Sequence, residues 1–176
     1  MKNLLITTII ISLFLVSCGS GKKKLAEILN PETSETASEY NDDLIGIQSG
    51  VDNAIVDFLD AIDTYDAVEM EASRSETLEI IEDAKDEVNE MRDFDGEDDF
   101  KEAMIDLLNM YEDIVKNEFT EVIDLVGYTE EMTDDDWTQY EELYDSALNK
   151  YDEAFAEFNS FQADFAEEWD YKVGKD

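Results

Sequence analysis

The chain has 176 residues, 48 of them acidic and 12 basic, for a formal net charge of −36, yet 43% are hydrophobic and 11% aromatic. That length suits one domain, and so negative a chain excludes nucleic acid as a partner, because such binding neutralises phosphates with Lys and Arg. With no histidine and a single cysteine, zinc sites, ferritin-like di-iron centres and Ser-His-Asp catalysis lack their essential groups.

Met1 to Ser17 reads as a signal peptide. Lys2 supplies a positive start, and Leu4 to Val16 is an apolar stretch too short for a confident membrane span. It ends Leu15-Val16-Ser17-Cys18, which resembles the bacterial lipobox. The resemblance implies cleavage between Ser17 and Cys18 and acylation of Cys18, with palmitate as a natural acyl group. The chain's one cysteine stands where that modification would fall. More than one acyl chain gives stable anchoring. Lys22, Lys23 and Lys24 then lie where anionic head groups would be. Gly19, not aspartate, follows the cysteine, which favours the outer membrane over retention at the inner one.

Residues 18–39 read as a lipidated, polar tether containing Asn30-Pro31 and a run of Thr, Ser and Glu. A helical domain is expected over residues 40–172. Tyr40, Leu44, Ile47, Val51, Ile55, Phe58, Ile62, Tyr65 and Val68 recur at steps of three and four, predicting a helix over residues 40–71. Gly46 and Gly50 interrupt it and offer a close helix approach. Ser73 and Glu76 have the spacing of a capping box, so a second helix is expected over 74–92. A third, over 97–126, carries Phe100, Met104, Leu107, Tyr111, Ile114, Phe119, Val122, Ile123 and Val126, with Gly127 as its stop.

Thr133 is a natural N-cap, followed by three aspartates in the first turn. It opens a helix over 134–171. Written as heptads from Trp137, its first positions are Trp137, Tyr144, Tyr151, Phe158 and Phe165, and its fourth are Tyr140, Ala147, Ala154, Phe161 and Glu168. Such a stripe must lie against other helices, and Trp169 and Tyr171 are the rings expected to be exposed. Short turns between amphipathic helices predict an all-α, antiparallel up-down-up-down four-helix bundle.

Phe94-Asp95-Gly96, Phe100-Lys101-Glu102-Ala103, Asp106 to Tyr111 and Glu121 to Leu125, together with the lipobox, resemble a family of uncharacterised bacterial surface lipoproteins. The resemblance implies a membrane-anchored helical bundle and brings no catalytic residues.

Met91 to Glu102 partly fits an EF-hand loop, with Gly96 at the sixth place, but Met91 occupies the first, where a carboxylate is required. A tight Asp-Gly turn before an acidic helix start is the plainer reading. A weak cation site would use Asp93, Asp95, Asp98 or Asp99. With no histidine, no available cysteine nucleophile and no glycine-rich phosphate loop, and with carboxylate pairs that need a cleft a slender bundle seldom offers, no enzyme and no cofactor is expected. The function expected is a lipid-anchored acidic envelope protein with a non-catalytic binding or structural role. The alternative is a surface protein that responds to Ca²⁺ or Mg²⁺. The membrane is one partner, through Cys18, and a protein or cation at the acidic surface is the other.

Overall fold

In a computed structural model, residues 36–128, 131–171 and 173 are described. They are helical throughout apart from short turns and one isolated bridge. Thr36 opens the first helix, α1 (Ala37–Ile62), with a capping box. Its hydroxyl accepts from the Glu39 amide at 3.2 Å, and the Glu39 carboxylate accepts from the Thr36 amide at 2.8 Å. The stretch Thr36–Glu39, read from sequence as tether, therefore belongs to the bundle.

The expected helix over 40–71 is two helices. Tyr65 adopts a left-handed φ of 55°, which a β-carbon tolerates poorly. The chain breaks after Ile62, and Asp66 caps α2 (Ala67–Glu90) by accepting from the amides of Val68 and Glu69. The break puts Val68 on the outside, 80% exposed, although it continues the α1 stripe in sequence. Ser73 and Glu76 consequently lie inside α2 and cap nothing. The buried Thr77 hydroxyl lies 2.9 Å from the Ser73 carbonyl and 3.2 Å from that of Ala54, tying α2 to α1.

The third rod comprises α3 (Asp99–Asp113), a π-helical segment (Ile114–Glu118) and α4 (Phe119–Tyr128). The π-helical turn is closed by the Phe119 amide on the Ile114 carbonyl, and Ile114, Val115 and Phe119 are all buried along it. Gly127 is not a stop. It lies within α4, where an added β-carbon would sit 3.3 Å from that of Ala67, so it permits close packing on the start of α2. Gly46 and Gly50 have no such neighbour.

The last helix, α5 (Asp134–Glu168), begins at Thr133, the expected N-cap, and Asp136 completes a capping box there. Its buried residues are Tyr140, Ala147, Ala154, Phe158, Gln162, Phe165 and Ala166. It ends sooner than residue 171. Asp170 takes φ 50°, and the Tyr171 amide reaches back to the Ala166 carbonyl at 3.1 Å, the hydrogen bond of a Schellman motif. That reversal folds Tyr171 against Phe165 and leaves Trp169 on Phe94. Both are part-buried, so neither is the exposed ring expected.

The four rods share one apolar core. At the end nearest Thr36, Phe100 sits among Tyr40, Phe158, Phe161 and Phe165, with ring centroids 4.5–6.4 Å apart. At the opposite end, Tyr65, Trp137 and Tyr140 form a smaller cluster with Tyr65 and Trp137 partly in solvent. The 26 residues of α1 put about 39 Å between the two ends at 1.5 Å per residue.

Candidate functional site

The turn between α2 and α3 holds the cation candidates. Asp95 and Gly96 both have positive φ, 53° and 87°, and the Glu97 amide donates to the Phe94 carbonyl at 2.9 Å. Two consecutive left-handed residues make a type I′ turn, which favours Asp-Gly. Asp95 stands exposed on that turn, and Asp93 is ion-paired with Lys101. Asp98 and Asp99 open α3. Their carboxylates and that of Glu102 have ligand atoms within 4.8 Å of one another, all three exposed. The structure thus groups two of the four candidates, adds Glu102, and leaves Asp93 and Asp95 apart. Ser17 and Cys18 lie outside the described residues.

From this acidic start a groove of about 820 Å³ runs between α3 and α5. Its floor is Ala103, Leu107, Met110, Ala154, Phe158 and Phe161. The two alanines leave space where longer side chains would close the seam, and Met110 is 39% exposed. The rim carries Asp99, Glu102, Asp106 and Asp113 on α3, and Glu153 and Glu157 on α5. One cation, Lys150, lies on it, and its ammonium is paired with Glu118.

A second polar feature is internal. Asn41, Gln48 and Asp52 follow one another along α1, and the first two are buried. Asn41 accepts from the Gln162 amide at 2.7 Å. Asp52 accepts from the Tyr151 hydroxyl at 2.9 Å. The buried Tyr111 ring stacks on Tyr151 at 4.7 Å, and its hydroxyl makes no well-formed hydrogen bond. Burial pushes the Asp52 carboxyl up to about 6, against the lowering effect of the tyrosine hydroxyls. Burial likewise raises the Tyr111 and Tyr151 phenols. Beside them lies an apolar void of about 20 Å³, bounded by Ile55, Ile114 and Phe119. It could hold one water by volume, but water needs polar partners and this lining offers almost none.

No family model matches the chain, and neither does any curated protein or solved structure. The chemistry open to these sites therefore rests on the residues themselves. The exposed trio is a set of hard oxygen donors, suited to Ca²⁺ or Mg²⁺. The groove combines apolar area with negative charge and suits something both greasy and cationic. The hydrogen bonds of the internal file pair α1 with α5. Sequence reasoning missed it by counting apolar residues alone. The signal was present: Asn41, Gln48 and Asp52 are spaced by seven and four, on the face of α1 that also carries Leu44 and Val51.

Proposed function

We propose that this chain is a lipid-anchored acidic protein of the bacterial cell envelope, held at the outer membrane through Cys18, with a non-catalytic binding or structural role. The observation that carries the reading is the position of the only cysteine, directly after the apolar leader Met1–Ser17 in a lipobox. The likeness to uncharacterised surface lipoproteins agrees with it. Roughly 18 residues then lead to Thr36, enough chain to stand a domain off a bilayer. Among the described residues no helix is long and apolar enough to cross a membrane, so attachment falls to the leader and its cysteine.

The up-down-up-down course of the bundle belongs to the same reading and is supported by the order of contacts. Asn41 meets Gln162 while Asp52 meets Tyr151. Arg74 meets Thr120 while Lys85 meets Glu112. Phe100 meets Phe158 while Phe119 meets Tyr144. In each pair of rods one number climbs as the other falls, which is the mark of antiparallel neighbours.

Cys18→Ala tests the anchor. Wild-type protein is expected to incorporate radiolabelled palmitate in cells and to pellet with membranes. The variant is expected to take up no label. If it is labelled as strongly as wild type, the anchor is not at Cys18.

The trio Asp98, Asp99 and Glu102 favours a second reading, a surface protein that responds to divalent cations. An ion at ten times its dissociation constant would stabilise the fold by about 1.4 kcal/mol. A melt with millimolar Ca²⁺ is then expected to run above one at matched ionic strength in NaCl, and the gain is expected to vanish in Asp98→Asn/Asp99→Asn. Coincident melts would remove this second reading.

A further inference from the structure

We propose that the groove between α3 and α5 is a docking site for a cationic amphipathic helix of a partner protein. This inference rests on the binding role proposed above but not on the lipid anchor, so its failure would leave the Cys18 test untouched.

Charge identifies the occupant. Asp99, Glu102, Asp106 and Asp113 form one rail of the groove, and Glu153 and Glu157 form the other. Its single ammonium, on Lys150, is already paired with Glu118. An acidic or neutral partner would bury these carboxylates without compensation, which is costly, whereas Lys and Arg flanking an apolar stripe would meet both rails.

The floor excludes a simple ion. A bound cation needs oxygen ligands, and the base of the groove offers carbon and sulfur instead, from Ala103, Met110, Ala154 and Phe161. Met110 is 39% exposed, and its flexible thioether can adapt to an incoming side chain. Met110 differs in this from the other large exposed hydrophobics among the described residues. Tyr65 and Trp137 pack on each other, Val68 follows Tyr65 by three residues, and none of the three lines the groove.

Length fits as well. One wall runs from Asp99 to Ile114, the length of α3 and the first residue of the π-helical segment, about 22 Å at 1.5 Å per residue. That matches about four turns of a docked helix, room for anchors at i, i+4, i+7 and i+11.

The test uses the full chain in nonionic detergent and a labelled 14-residue peptide of leucine and lysine with its leucines on one helical face. Binding is followed by fluorescence anisotropy. Glu153→Lys/Glu157→Lys reverses one rail, and Met110→Glu spoils the floor. Glu79→Lys/Asp83→Lys makes the same charge change on exposed positions of α2. Each groove variant is expected to weaken binding at least tenfold, and the α2 variant less than twofold. Replacing the peptide's leucines by alanine is expected to abolish binding.

The proposal is overturned if the α2 variant weakens binding as much as the rail variant, since overall charge would then suffice. It is equally overturned if the alanine peptide binds as well as the leucine peptide, or if wild type binds neither. If the wild-type chain alone sediments as a dimer that Met110→Glu dissociates, the occupant is a second copy and the partner-helix proposal fails.

Discussion

Phe100→Ala is expected to lower the unfolding free energy by about 3–5 kcal/mol, the usual cost of removing a buried phenylalanine. Phe100 is 3% exposed and is the shared neighbour of four other rings. Tyr40 belongs to α1, Phe100 to α3, and Phe158, Phe161 and Phe165 to α5, so one side chain holds three rods together. Phe94, from the α2–α3 turn, closes on the same cluster through Tyr40 and Phe165. Truncating Phe100 would leave a hole between helices that cannot all move inward at once. Domains of this kind are stable by only about 5–15 kcal/mol, so the loss would remove a large share of the total. Trp137→Ala is the control. Trp137 is 38% exposed and its removal is expected to cost about 1 kcal/mol or less, as for surface positions. Urea unfolding followed by circular dichroism measures both. Equal midpoints for the two variants would show that the rings at the Thr36 end are not a core.

The contrast between Phe100 and Trp137 also shows what the sequence could and could not tell. Steps of three and four identified the large apolar buried residues of α1, α3 and α5 except Leu108, and missed the buried Asn41, Gln48 and Gln162 and several alanines. The heptad frame imposed on α5 failed in an informative way. Its first positions run from Trp137, which is exposed, to Phe165, which is buried, and its fourth from Tyr140, buried, to Glu168, exposed. A helix of 3.6 residues per turn drifts about 20° per heptad against a repeat of 3.5. Over four heptads the drift carries the core from one row to the other. The buried residues obey the true period instead: Tyr140 and Phe158, or Ala147 and Phe165, lie five whole turns apart.

Other misses have equally local causes. The apolar stripe of α1 runs on past Ile62 through Tyr65 to Val68, and nothing in that pattern shows that Tyr65 turns left-handed. The signal lay in Asp66, a good N-cap. The π-helical segment was illegible, because the buried Tyr111, Val115 and Phe119 keep the steps of four of an ordinary α-helix. The groove was illegible, because its lining comes from two rods distant in sequence, with Ala103 on one and Ala154 on the other. Only packing brings such positions together. The grouping of Asp98 and Asp99 with Glu102 was half legible: their spacing fits one helical turn, while the separation of Asp93 depends on its pairing with Lys101.

Asp52→Asn is expected to stabilise the protein at neutral pH, by about 1–3 kcal/mol from a shift of this size. The sign follows from the direction of the shift. Burial raises the Asp52 carboxyl from 3.8 to about 6, so the folded state holds its proton more tightly than the unfolded state. Below the unfolded value both states are protonated and Asp52 carries no penalty. As pH rises through about 6 the folded carboxyl must ionise in poor solvation, and stability falls. The Tyr151 hydroxyl offsets part of that cost by donating to Asp52. Asparagine keeps an oxygen for the same hydroxyl and never ionises, so the hydrogen bond survives while the buried charge is gone. The unfolding free energies of variant and wild type should therefore converge near pH 4 and diverge towards pH 7. Both proteins will also gain stability on acidification, because a chain of net charge −36 repels itself. That common trend cancels in the difference between them, and the difference isolates Asp52. A constant gap across this range would mean that the gain comes from the amide and not from removing a charge. A gap that closes near pH 4 would show that α1 keeps an ionisable group beside Tyr111 and Tyr151 at a cost in stability.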